Sequence, residues 1–282
     1  MLPARTSLGG VTRRTRTANS FDITEGNLYL LADPMPGRLA IYIDETVTPE
    51  AASSREAFVL IQGLPLDGHV KAGRFMLDYG LRIPDDAAFI RGQTGFNYAN
   101  ADLGVELGIA PRPFALAIAV SNGSLGGSDP NRAKQITAHA TAVTGHAQGG
   151  LQAAWNDTSA EDFEFQSITV GGHVGGRLGR ALLLGEVDWI HGSSGDDDFD
   201  QWALYLHGDF EATKGLYLRA GFEAFDPLRS LAENERDRFV LGASWFPIQL
   251  LELRAEYRVN RDIPQRVDGN ADELIFELNG FL

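Results

Sequence analysis

Residues 251–258 alternate strictly between apolar and ionised side chains. Leu251, Leu253, Ala255 and Tyr257 fall on one parity, and Glu252, Arg254, Glu256 and Arg258 on the other. Successive side chains of a β-strand face opposite sides of the sheet, so such a strand has one oily face and one fully charged face. The pattern recurs. Leu39, Ile41 and Ile43 alternate with Arg38, Tyr42 and Asp44, and Leu103, Val105, Leu107 and Ile109 with Asp102 and Glu106. Farther on, Trp202, Leu204, Leu206 and Phe210 alternate with Gln201, Tyr205, His207 and Asp209. A sheet with one wall for lipid and the other for water meets this requirement when it closes into a transmembrane barrel.

Composition narrows the choices. No stretch approaches the ~18 to 20 consecutive apolar residues of a membrane-spanning helix. A barrel strand needs an apolar residue only at every second position, so it escapes that signature. The net charge of −14 argues against binding nucleic acid or another polyanion along the chain, and Lys71, Lys134 and Lys214 form no cluster. With no cysteine, disulfide frameworks, thiolate metal sites and covalent haem attachment are excluded. Residues 1–20 are rich in Arg and Thr and lack the apolar core of a signal peptide. For a barrel of the outer membrane, this implies that the segment carrying the signal is missing from the chain.

Tight turn signals rich in Gly and Pro fall at 33–37, 64–68, 110–113, 144–147, 178–180, 213–215 and 247–249. Longer polar connections alternate with them at 48–54, 81–97, 122–132, 157–162, 192–200, 226–235 and 261–271. Short turns on the periplasmic rim and long loops on the extracellular rim are the asymmetry expected of an outer-membrane barrel. Seven tight turns join fourteen strands, and residues 273–282 supply another. Because bacterial barrels have even strand numbers, a further strand is expected over 6–16, giving about sixteen. The expected fold is all-β: a single antiparallel transmembrane β-barrel domain over 1–282, truncated at its N-terminus.

A soluble sandwich or solenoid also alternates. Here, however, the apolar parity carries Ala138, Ala140, Ala142, Gly172 and Gly176, which would fill a core poorly. Walking along the hairpins sets Trp155, Trp189 and Trp202 near the long-loop rim, and Phe114, Phe210 and Trp245 near the short-turn rim. Two aromatic belts suit the two interfaces of a bilayer. The chain ends with Leu274, Phe276, Leu278 and Leu282 on one face, Phe281 being penultimate. This ending resembles the C-terminal insertion signal of outer-membrane barrel proteins.

The same alternation turns Arg74, Asp78, Arg82, Glu106, Arg177, Glu186, Asp188, Arg219, Glu223, Arg238, Glu252, Arg254, Glu256 and Arg258 inward. A barrel of about sixteen strands encloses water, in which these charges stay solvated and set ion preference. Individually, most would do no more than keep the interior wet and pair across strands. The longest loop, 81–97, combines Ile83, Ala87, Ala88, Phe89 and Ile90 with Asp85, Asp86 and Arg91. An apolar run in an exposed loop has a reason to fold against the inner wall, which would leave Asp85, Asp86 and Arg91 at a constriction. Packing over the barrel mouth and docking of a partner are the alternatives.

The run VKAGRFMLDYGLRIPDDAAFIRG, which starts at Val70, resembles the Gly-Arg-Phe strand and following loop of porins of the phosphate-selective O and P type. That resemblance implies a trimeric outer-membrane channel. In those porins an arginine-lysine ladder lines the pore. This chain has few lysines, an acidic total and an interior of mixed sign, so phosphate selectivity is not carried over.

Signals for an enzyme are weak. His69, His139, His146, His173, His191 and His207 show no metal-ligand spacing, and no Gly-Xaa-Ser-Xaa-Gly elbow occurs. Asp196, Asp197, Asp198 and Asp200 form either a divalent-cation site or, more commonly, a solvated loop. The expectation is therefore a non-enzymatic channel without cofactor, set in outer-membrane lipid as a homotrimer. It would pass small hydrophilic solutes, with mild preference for cations and neutral molecules. Its rivals are a barrel sheathing a periplasmic multihaem cytochrome and a barrel hydrolase, whose Ser-His pair would sit on the wall.

Overall fold

Among the residues described by a computed structural model, sixteen strands form a closed barrel in which each strand pairs antiparallel with its sequence neighbours and the first pairs with the last. The structure describes residues 5–12, 25–47, 52–83, 85, 87–124, 127, 129, 132–158, 165–195, 197–263 and 267–281. The first eight strands are β1 (Arg5–Thr12), β2 (Glu25–Met35), β3 (Leu39–Val47), β4 (Ala52–Leu64), β5 (Gly68–Phe75), β6 (Asp102–Ile109), β7 (Phe114–Ser121) and β8 (Gln135–Val143). Their successors are β9 (Ala147–Asp157), β10 (Phe165–Leu178), β11 (Ala181–Ser194), β12 (Asp197–Thr213), β13 (Leu216–Asp226), β14 (Arg236–Ile248), β15 (Leu251–Arg261) and β16 (Glu273–Phe281). Closure leaves no sheet edge with unpaired backbone groups, the condition for a sheet surrounded by hydrocarbon.

The burial pattern is that of a barrel with its inside and outside exchanged relative to a soluble protein. Leu107, Leu151, Val174 and Leu241 lie on the outer wall and are more than half exposed, at 58, 73, 66 and 61 %. Glu106, Glu186, Asp188, Glu223, Glu252 and Glu256 are buried within the ring. Among the described residues no sandwich core lies between stacked sheets. Trp189 and Trp202 sit side by side on the outer wall, and Phe114, Phe210 and Trp245 form an exposed set near the short turns.

The tight turns fall where the Gly and Pro signals predict. One connection differs. The polar stretch 192–200 is expected to be a long loop, but β11 continues through Ser194 and β12 begins at Asp197. Gly195, at φ +63°, supplies the left-handed residue needed for a tight reversal there. β12 therefore projects beyond its pairing with β13, which begins at Trp202, while β11 stays paired with β10 as far as Ser194. Asp197, Asp198 and Asp200 lie in β12, His191 faces Asp200 at 3.0 Å, and Asp196 lies outside the described residues. Among the described residues no group of three or more His, Asp or Glu side chains is arranged to hold a metal ion.

Candidate functional site: the segment inside the barrel

The second departure from expectation defines the site. β5 stops at Phe75, so the connection to β6 runs over residues 76–101 and is longer than the predicted 81–97 loop. Its apolar side chains Met76, Leu77, Leu81, Ile83, Ala88 and Ile90 are all buried. Leu81, Ile83, Ala88 and Ile90 pack with Ala203, Tyr205 and Phe225 of β12 and β13. The segment thus leaves the wall at β5 and crosses the interior to the far side of the ring. Burial of its apolar run against that wall accounts for the apolar composition.

Side chains of the wall hold it there. The Met76 N–H donates to Glu56 Oε1 at 2.8 Å as the segment departs. The Tyr79 hydroxyl donates to Asp188 Oδ1 at 3.2 Å, and its ring stacks on Phe96 with centroids 3.8 Å apart. The Leu81 N–H donates to Glu186 Oε2 at 2.7 Å. Arg91, on the short helix α1 (Phe89–Gly92), is 2 % exposed, and its guanidinium donates to Glu186 at 2.5 Å and to the Leu81 carbonyl. The Phe89 N–H donates to Glu223 Oε2 at 2.8 Å. Arg238 donates to the Ala87 carbonyl at 2.8 Å and to Glu223 at 3.3 Å. Arg258 reaches Asp85 at 2.7 Å and Glu256 at 2.5 Å. The carboxylates of β11 and β13 therefore accept backbone N–H groups that the non-helical segment would otherwise leave unpaired.

A polar relay joins the start of the segment to the same wall. Asp78 contacts His139 of β8 at 3.1 Å, and His139 lies against His173 of β10 with ring centroids 5.0 Å apart. His173 hydrogen-bonds Gln152, whose amide donates to Asp188 at 3.0 Å and Glu186 at 3.2 Å. Burial acts to raise the Asp78 carboxyl, but the hydrogen bond and charge of His139, with Arg82 and Lys71, outweigh it and hold Asp78 below its ordinary value. Burial, with Asp188 and Glu186 nearby, pushes the Tyr79 hydroxyl far above its ordinary value, so it remains a neutral donor.

Most of the predicted inward set is brought together on one arc. Arg219 meets Asp209 at 3.1 Å and Glu256 at 3.9 Å. Arg254 meets Glu252 at 3.2 Å and Glu277 at 3.0 Å. Four residues depart from the expected placement. Arg74 pairs with Ala57 and Leu103, which occupy outward rows, because alternation counted back from Asp78 crosses the end of β5 and slips by one. Asp78 and Arg82 reach the interior from the inserted segment and not from a strand. Arg177 lies exposed at the short-turn rim, where its Nε donates to the Gly179 carbonyl at 3.1 Å. Asp86 lies outside the described residues.

Lys71 was not singled out by the sequence pattern. It faces inward, 2.8 Å from Glu106, with its ammonium over the Phe75 ring. With Asp78, Arg82, Leu60, Gln62 and Glu106 it lines an open cavity of about 670 Å³ beside the inserted segment. Its inward parity with Gly73 and Phe75 was the available signal.

No family model and no curated protein matches the chain. Solved structures do. The trimer form of OmpT, an outer-membrane protein of Vibrio cholerae, superposes with a TM-score of 0.74 at 12 % identity, over 99 % of this chain and 97 % of that one. This is a porin fold. An anion-selective porin from Comamonas acidovorans gives a TM-score of 0.70 at 11 % identity, covering 99 % of this chain and 98 % of its own. The outer-membrane channel DcaP of Acinetobacter baumannii gives 0.61 at 10 % identity, covering 99 % and 94 %. At these identities the likeness concerns architecture, and the porin fold carries no selectivity with it.

Proposed function

We propose that the chain is an outer-membrane channel for passive diffusion of small hydrophilic solutes and ions, narrowed by the segment 76–101. The observation that carries this reading is the combination of an apolar outer wall, an ionised inner wall and a segment fastened across the interior by Glu186, Glu223 and Arg258. An apolar exterior requires lipid, and a ring of this strand number leaves aqueous space inside. Asp78, Arg82, Asp85, Glu106, Arg238 and Arg258 are the charges assigned to the solute path. The acidic excess gives a mild preference for cations and neutral solutes. The likeness to porins of the phosphate-selective O and P type rests on the Gly73-Arg74-Phe75 strand, where Arg74 sits on the outward row, so no anion site is assigned to it.

The inserted segment fills space that a sheath would keep for a cytochrome, which favours the channel over that rival. A non-enzymatic role and a homotrimeric assembly in outer-membrane lipid belong to the same proposal. The test is reconstitution of the full chain in planar bilayers under a salt gradient. Stepwise ionic conductance with a reversal potential of the cation-preferring sign is expected. Absence of conductance would overturn the channel, and clear anion preference would overturn the selectivity.

A further inference from the structure

The outer wall is not evenly filled. Register aligns Phe114, Ala142, Gly149 and Val174 in one outward row across β7–β10, and Leu116, Ala140, Leu151 and Gly172 in the next. Small residues inside both rows leave an open apolar groove of about 550 Å³, banked by Phe114 and Leu116 on one side and by Leu151 and Val174 on the other. Ile109 and Pro111 also line it, so the groove reaches the short-turn rim. That rim is basic over this arc, although the whole chain carries −14. Arg112, Arg177, Arg180 and Lys214 stand exposed there, and within 110–113, 144–147, 177–181 and 211–215 the one carboxylate is Glu211. The Val143 N–H donates to the Pro113 carbonyl and the Arg177 N–H to the His146 carbonyl, both at 2.8 Å, which sets the turns beside the groove's lower end edge to edge. Among the described residues none of the four cations makes an ion pair. Arg177 and Arg180 donate only to the Gly179 and Ala212 carbonyls, at 3.1 and 3.4 Å. Inside the barrel, by contrast, Lys71, Arg219, Arg238, Arg254 and Arg258 each meet a carboxylate.

We propose that the groove and the basic turns together form a site for one anionic phospholipid of the periplasmic leaflet. An acyl chain lies over Ala140, Ala142 and Gly149, and the headgroup phosphate sits at the groove's mouth with Arg112 and Arg177. Two independent features ask for the two ends of the same molecule. A trough in a lipid-facing wall forfeits dispersion contacts unless a chain fills it to the floor. Unpaired cations at headgroup level draw anionic lipid, and Phe114 and Phe210, exposed at the same rim, mark that level. A guanidinium carries five N–H donors, so Arg177 keeps donors for a phosphate after its bond to Gly179. The short turns face the periplasm, which selects a phospholipid of that leaflet over lipid A of the opposite one.

The site needs a lipid-facing wall but not conduction, so it stands or falls apart from the channel. The full chain in detergent is incubated with equal amounts of phosphatidylglycerol, phosphatidylcholine and lipid A, and retained lipid is read by native mass spectrometry. Preferential retention of one phosphatidylglycerol per chain is expected. Arg112→Gln and Arg177→Gln should each lower it about fivefold, the worth of one basic residue at an anionic lipid surface. Ala140→Trp, which fills the groove from its exposed side and touches no charge, should lower it too. Arg38→Gln, which removes an exposed cation from the other arc of the same rim, should leave it unchanged. Equal retention of phosphatidylcholine, stronger retention of lipid A, or an equal loss in Arg38→Gln would overturn the site. So would unchanged retention in Ala140→Trp; if that variant also broke up an oligomer, the groove would belong to a second copy of the chain.

Discussion

Replacing Glu186 tests whether the wall of β11 holds the inserted segment in place. Its carboxylate accepts from the Leu81 N–H at 2.7 Å and from the buried Arg91 guanidinium at 2.5 Å. Glu186→Leu removes both acceptors and leaves a buried cation without its partner, which costs about 3–5 kcal/mol in a dry site. A buried N–H left without an acceptor costs about 1–3 kcal/mol. Two circumstances reduce the sum. The segment can move Arg91 into water, and Asp188, which is fully buried two residues along, loses a like-charged neighbour. The lower end, about 3 kcal/mol, is the reasoned value, equivalent to roughly a hundredfold shift from the docked to the released segment. Glu186→Gln keeps an acceptor for Leu81 and should shift it much less. Amide hydrogen exchange read by mass spectrometry on the reconstituted protein follows peptides spanning 77–92 against strand peptides. Faster exchange is expected in 77–92 alone, by roughly a hundredfold in Glu186→Leu, with noisier and altered single-channel current. Unchanged exchange in that segment would refute the anchoring role.

Three further outcomes follow from the same geometry. Asp85→Ala should free Arg258 from its 2.7 Å contact and move the reversal potential away from cation preference, and an unchanged single-channel record would place Asp85 outside the narrow section. Because Asp78 is held below its ordinary value, its contact with His139 stabilises the fastening above the ordinary carboxylate range and is lost only as pH falls through the depressed value. Conductance should therefore be steady through the range where a free aspartate titrates and change below it; Asp78→Asn should abolish that acid step. On the outer wall, Leu241→Arg should cost about 2–4 kcal/mol if it lies at mid-bilayer depth. Unfolding equilibria in lipid vesicles read that cost, and a value near zero would argue against lipid contact there.

The alternation of residues 251–258 and its counterparts reported which face of each strand meets which medium, because side-chain direction in a strand is a local property with a period of two. The tight turns were legible for the same reason: a positive φ or a missing N–H is satisfied within a few residues. Arg74 shows where that logic stops. A parity counted across the end of β5 loses its meaning, and sequence does not mark that β5 ends at Phe75 rather than several residues later. The stretch 192–200 misleads in the opposite way, since polar residues also suit strands that stay paired beyond the apolar band, as β11 and β12 do.

The chain's own pattern thus determined an antiparallel barrel, its oily and wet walls, its turn-bearing rim and the apolar oddity of the stretch around Ile83 and Ile90. Only the closed ring decided what that stretch touches. Arg91 and Glu186 lie far apart along the chain and meet because strand pairing sets their heights, and the small residues of the outer groove line up through register alone. Contacts across a ring depend on every intervening pairing, a cumulative quantity that no local pattern encodes.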